Sequence, residues 1–169
     1  KTVFNQLCTQ TRGKIIYCKA HPGATDVCAK YPNAVSYGWS DADYTAADVV
    51  ERRGRTLFTV FKGEKELGRV ELGIPGRHNV LNAAGVIVLA DALGMDAEAA
   101  ARAMAGFAGV RRRFDLVGEA AGITVVDDYA HHPTEIAATI GAASQLGFRH
   151  VHVLFQPHRY SRVPLFTEV

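Results

Sequence analysis

The chain has 169 residues, 48% hydrophobic and 21% charged, with a formal net charge of +2. That is enough apolar material for one or two packed domains, and it excludes a disordered chain or a dedicated nucleic-acid or membrane-surface binder. The longest apolar run, Ala83 to Ala90, breaks at Asp91 and is too short to span a bilayer.

In chain order, Lys14 to Cys18 reads as a short strand and Val35 to Gly38 as another, with a turn around Tyr31 to Asn33 and a helical turn over Val27 to Lys30. From Tyr44 the pattern changes to short extended segments, Ala46 to Glu51, Arg55 to Phe61 and Glu66 to Leu72, punctuated by Gly54 and Gly63. They suggest an antiparallel hairpin or meander, a structural appendage with no chemistry in view. A helix should run from about Asn79 to Leu93, stopped by Gly94, and a second from Ala97 to Ala105, capped by Asp96 and ended by Gly106. Phe114 to Val117 reads as a linker strand, which puts a domain boundary near Asp115.

The stretch GITVVDDYAHHPTEI, residues 122–136, carries the strongest signal. Ile123 to Val126 has the β-branched composition of a buried parallel strand. Pro133 suits a first helical position and Glu135 the first turn, so a helix should run from Pro133 to Gln145 and close at Gly147. His150 to Phe155 reads as a second strand, parallel to the first across this crossover. Both polar tails would then share the carboxyl edge, where ligands bind in open α/β sheets.

Several residue sets could carry chemistry, each against a plainer reading. Asn79 and Asn82 lie three apart on one helix face; they could cap the helix or offer donor–acceptor pairs to an adenine edge. Arg111, Arg112 and Arg113 could be a solvated run or a phosphate contact. Asp127 and Asp128 are adjacent on a strand and point to opposite faces, so a shared catalytic dyad is not expected. His131 and His132 lack the spacing of a helical zinc pair, and the cysteines at 8, 18 and 28 form no CxxC; no metal site is expected. That odd cysteine count fits reduced thiols in a cytoplasmic protein.

Together DDYAHHPTEI, HNVLNAA at 78–84, GVRRRF at 109–114 and QPHRYSR at 156–162 resemble the Mur ligases, ATP-dependent amide ligases of bacterial cell-wall synthesis. The resemblance is weak before about residue 70 and strong from Gly76 onward. It implies an α/β fold: residues 1–115 as the latter part of a P-loop-type ATP-binding domain with a small antiparallel sheet, and 116–169 as part of a Rossmann-like amino-acid-binding domain. Within the family it points to the branch that joins L-alanine to UDP-N-acetylmuramate through an acyl phosphate, using ATP and Mg²⁺. A ligase that recycles a tripeptide onto the same sugar nucleotide, and a nucleotide-binding module without catalysis, are the alternatives.

The residue roles follow from the same resemblance. Asn79 and Asn82 match the family's adenine-side asparagines, while His78 matches too but could equally cap. Arg113 and Asp128 match the nucleotide-contacting catalytic pair, with Arg111 and Arg112 as surface charges. Tyr129 and His131 match positions lining the substrate pocket, with His132 a cap or buried partner. Arg159 and Arg162 match the arginines that grip the amino-acid carboxylate. A phosphate loop ending in GK[ST] is absent. With the family's metal-binding residues, it is expected upstream, so the chain reads as a central slice of a ligase, inactive alone.

Overall fold

The computed structural model describes residues 1–52 and 55–157. Its larger sheet has five strands in chain order: β1 (Ile15–Cys18), β2 (Ala34–Gly38), β3 (Tyr44–Arg52), β4 (Arg55–Lys62) and β5 (Lys65–Leu72). The first three run parallel, and β3, β4 and β5 form the expected antiparallel meander. The meander is no appendage, however. It continues the parallel strands in one sheet and supplies Phe58, Val60, Leu67, Val70 and Leu72 to the main core.

Helix α3 (Arg77–Ala92) closes that core with Val80, Ala83, Ala84, Ile87 and Val88. The small residues let it lie close to the sheet; a Cβ on Gly85 would stand 2.8 Å from the Tyr37 hydroxyl. The far end of α3 is fastened by Asp91, which accepts hydrogen bonds from Tyr44 Oη at 2.6 Å and Lys62 Nζ at 2.8 Å. Asp96 caps α4 (Ala97–Ala103) as expected, its Oδ1 accepting from the Ala99 amide at 3.0 Å. The last turn of that helix, Met104–Gly106, tightens to 3-10 geometry.

Two helices precede these. The first, α1 (Thr2–Gln10), had no counterpart among the expected elements. The second, α2 (Pro22–Cys28), starts well before the turn expected at Val27 to Lys30, because His21 caps it: its Nδ1 accepts from the Ala24 amide at 3.2 Å, with proline at the first helical position.

The second sheet is the hairpin of β6 (Asp115–Ala120) and β7 (Ile123–Asp127). It turns on Ala121 and Gly122 at φ 51° and 77°, the two positive angles that match strand twist in a two-residue loop. Helix α5 has the expected bounds, Pro133–Gln145, and Gly147 turns the chain out of it at φ 77°. The parallel partner expected at His150 to Phe155 is not formed: residues 150–157 carry no strand, and Leu154 is fully exposed. An extended segment becomes a strand only where a neighbour takes its N–H and C=O groups; β7 is paired with β6 alone among the described residues. No described helix is long and apolar enough to cross a membrane.

Candidate functional site

The site is built where the start of α3 meets the loop entering β6 and the turn leaving β7. Gly76 opens α3 at φ 102°, and a Cβ there would lie 2.7 Å from the His78 ring and 3.5 Å from Ala142 of α5. Only glycine combines that backbone angle with this approach of α5. Asn79 Nδ2 donates to the Pro75 carbonyl at 2.7 Å, across the turn before the helix; it is not a cap, since Gly76 holds the cap position and no side chain bonds there. Asn82 Nδ2 reaches Asn79 Oδ1 at 3.5 Å, so the two share a face as their spacing requires.

Across from this helix start, Asp128 is a structural hub. One carboxylate oxygen accepts from the Phe114 amide at 2.8 Å and the Thr139 hydroxyl at 3.1 Å, and the other from the Ala130 amide at 2.7 Å. It thereby ties the arginine loop to β7 and α5. That loop needs tying, because Arg112 and Phe114 sit at φ 61° and 51°, where side-chain-bearing residues are strained by about 1–3 kcal/mol each. Asp115 Oδ2 also accepts from the Arg112 amide at 3.1 Å, and the Arg112 carbonyl accepts from the Tyr129 amide at 2.8 Å.

The side chains of the loop diverge. Arg113 approaches Glu135 at 3.6 Å, both partly exposed, a pairing worth about 0–1 kcal/mol. Arg112, a surface charge on sequence grounds, instead lies over the Tyr129 ring at 4.8 Å and pairs with Asp127 at 3.3 Å. Asp127 and Asp128 take different partners: Asp127 pairs with the Arg112 side chain, while Asp128 accepts from the Phe114 and Ala130 amides and the Thr139 hydroxyl. His131 sets its ring edge-on to Tyr129 at 5.1 Å, and its Nδ1 lies 2.9 Å from the Tyr129 carbonyl. His132 is a cap: its Nδ1 accepts from the Thr134 amide at 3.3 Å, while Glu135 accepts from the His131 and His132 amides at 3.1 and 3.2 Å.

Electrostatics tie these groups together. Burial pushes the His78 imidazole below its ordinary range; the Asp128 charge works against that and the Arg113 charge with it. Burial pushes Glu135 up, but the His131 and His132 amides and the charges of Arg113 and His131 outweigh it and hold the carboxyl below its usual range.

The structure brings Asp128 onto α5 through Thr139 and α5 against the start of α3 through Ala142, with Tyr129 and His131 on the turn after Asp128. Arg159 and Arg162 lie outside the described residues. A cavity of about 550 Å³ opens beside the loop, lined by Ile74, Pro75, Arg113, Phe114 and Leu116 among others, but by none of Asn79, Asn82, Asp128 or Tyr129. Sequence reasoning missed Arg112 and Thr139. Nothing in the chain distinguishes Arg112 from its neighbours, and the Thr139 contact spans eleven residues.

Comparison with known proteins gives this geometry a context. Residues 112–169 match the family model described as Mur ligase, glutamate ligase domain. A UDP-N-acetylmuramate--L-alanine ligase from Anaeromyxobacter sp. strain Fw109-5 is 45% identical over 153 residues, 89% of this chain and 33% of the relative. The crystal structure of the UDP-N-acetylmuramate-alanine ligase of Thermotoga maritima superposes with a TM-score of 0.73 at 30% identity, over 86% of this chain and 33% of that one. A murein peptide ligase from Psychrobacter arcticus aligns at TM-score 0.60 and 27% identity, over 94% of this chain and 36% of its own. The chain spans about a third of the length of these relatives. From its sequence matches and its fold alike, the chain belongs to the Mur ligase family.

Proposed function

We propose that the chain is a segment of a cytoplasmic ATP-dependent amide ligase that joins L-alanine to UDP-N-acetylmuramate. The observation that carries this reading is the chain's 45% identity to a ligase of that name, supported by the packing of the α3 start on α5, whose Thr139 hydroxyl bonds Asp128. Residues 1–115 would belong to the ATP-binding domain and 116–169 to the amino-acid-binding one.

The roles follow from the chemistry of each side chain. Asn82, exposed on the face it shares with Asn79, would present its carboxamide to the adenine edge. Arg113, held by a solvent-exposed pair, can turn from Glu135 to a phosphate as charge builds during transfer. Asp128 would contact the nucleotide across the junction while fixing the loop that carries Arg113. Tyr129 and His131 would line the substrate pocket, and Arg159 and Arg162 would hold the amino-acid carboxylate as a bidentate fork. The γ-phosphoryl group would pass to the sugar's lactyl carboxylate; the alanine amine would then attack the acyl carbon and displace phosphate. The described residues include no group of three or more His, Cys, Asp or Glu that could hold a metal, and none of these roles runs through Mg²⁺.

The test replaces the matching third of the Anaeromyxobacter ligase with this chain. ATP-dependent formation of UDP-N-acetylmuramoyl-L-alanine by the chimera is expected. Preference for a tripeptide over L-alanine would favour the recycling activity, and a folded chimera that binds ATP without turnover would favour a non-catalytic module. In an active chimera, Arg162→Ala should raise the KM for L-alanine about ten- to a hundredfold, the loss of a charge-assisted hydrogen bond worth about 1.5–3 kcal/mol.

A further inference from the structure

Away from this site, α1 and α2 face each other through two thiols. Cys8 Sγ and Cys28 Sγ stand 3.9 Å apart across the two helices. Cys8 is the one buried residue of α1, at 7% exposure, and Cys28 is half-buried at the last position of α2. They share a small apolar cluster with Ile15, Val27, Tyr31 and Ala34, separate from the main core. Cys18 lies elsewhere, on β1 beside the Tyr37 hydroxyl.

We propose that Cys8 and Cys28 form a reversible dithiol oxidation site that clamps α1 onto α2. The two sulfurs must approach by roughly 1.9 Å to reach bonding distance, a shift within reach of a side-chain rotation and a small slide of a short helix. Helix α1 makes little apolar contact that would oppose that slide. Apart from Cys8 it is docked by polar contacts near the surface: Lys1 to Asp26 at 3.0 Å, and the Tyr31 hydroxyl to the Asn5 carbonyl at 3.0 Å. Val3, Phe4 and Leu7 remain largely exposed.

The chemistry is an exchange with a low-molecular-weight disulfide. Cys28, the more accessible thiol, loses its proton and attacks one sulfur of the disulfide; that S–S bond breaks, and one small thiolate leaves and takes up a proton. Cys8 then loses its proton and attacks Cys28 Sγ, expelling the second small thiol. Two protein thiols are oxidised and one small disulfide is reduced to two thiols. Disulfides of this transient kind are those found in reducing compartments.

The test treats the 169-residue chain with glutathione disulfide under native conditions, then alkylates, digests and weighs the peptides. The Cys18→Ser chain is run alongside, so that Cys18 cannot contribute. A monomeric chain with the Cys8 and Cys28 peptides joined, lighter by two hydrogens and restored by dithiothreitol, is the expected product in both. Its Tm should rise by roughly 7–13 °C, from closure of a loop of about 20 residues in the unfolded chain. Neither the link nor the rise should occur in Cys8→Ser or Cys28→Ser. Persistent glutathione adducts on Cys8 or Cys28, covalent dimers, or both thiols still alkylated after treatment would overturn the site. A crosslinked chain that melts with the reduced one would overturn the clamp.

Discussion

Removing the Asp128 carboxylate should loosen the arginine loop before anything else. Its acceptors serve three donors, the amides of Phe114 and Ala130 and the hydroxyl of Thr139. Hydrogen bonds to a charged acceptor contribute about 1.5–3 kcal/mol each, but Asp128 is partly exposed, and water would take over some of that solvation in the variant. A net loss of about 2–4 kcal/mol for Asp128→Ala follows, with less for Asp128→Asn, whose amide nitrogen can no longer accept. Thr139→Val removes one neutral donor and should lose about 0.5–1.5 kcal/mol. The readout is hydrogen exchange, amide by amide. In Asp128→Ala the Phe114 and Ala130 amides should exchange roughly 30- to 700-fold faster, which is 2–4 kcal/mol at 1.4 kcal/mol per decade. Amides in β4 and β5 should keep their protection. If Phe114 exchanges as in wild type, or if every amide accelerates alike, Asp128 does not hold the loop.

Further outcomes follow from the same geometry. In an NMR titration His78 should titrate below the ordinary histidine range; Asp128→Asn should lower its midpoint further and Arg113→Gln should raise it, since the first removes an attraction and the second a repulsion. Glu135 has a depressed carboxyl, so its contribution to stability is present above the unfolded value of about 4.3 and is lost as pH falls through the folded one. The stability gap between wild type and Glu135→Gln, read from urea midpoints, should therefore be open at pH 7 and close on acidification. Gly85→Ala should cost about 1–3 kcal/mol, because its Cβ would meet the Tyr37 hydroxyl at 2.8 Å and ring carbon at 3.0 Å. Tyr37→Phe should restore part of that loss; full additivity of the two changes would sink the packing argument.

How much of this could be read in the chain varied with the local chemistry. Helix α5 was legible to the residue because His132-Pro133 is followed by Glu135 in the first turn and by four alanines, and Gly147 marks its end. The same His-Pro device starts α2 at His21-Pro22, but Gly23 follows at once, the first turn holds no acidic residue and the helix is only seven residues long, so the start is masked. Helix α1 had no signal of that kind: Lys1 makes no capping bond and its first turn holds no acidic residue. The meander was legible in its strands but not in its importance, since burial against α3 is a tertiary fact. At the site, the one-face placing of Asn79 and Asn82 came from spacing alone. The separate duties of Arg112 and Arg113 did not, because the positive φ at Arg112 and Phe114, on either side of Arg113, shapes how the loop presents its side chains.

Those duties explain why three adjacent arginines need not be redundant. The backbone beneath them is costly, with two residues at positive φ, and it is held by carboxylates that accept hydrogen bonds from the Arg112 and Phe114 amides. The Arg112 side chain adds to this hold through Tyr129 and Asp127, so moving it would disturb the turn after β7. Arg113 is held differently. Its contact with Glu135 is long and solvent-exposed, and giving it up costs about 0–1 kcal/mol, less than a charge-assisted bond to a phosphate returns. A fixed backbone with a loosely held guanidinium is what transition-state stabilisation asks of a junction residue: its position is set in advance, and its partner can be exchanged as charge develops. On that reasoning Arg112→Ala should loosen the loop and Arg113→Ala should leave it folded. Hydrogen exchange at Phe114 separates the two, and equal loss of protection in both variants would refute the division.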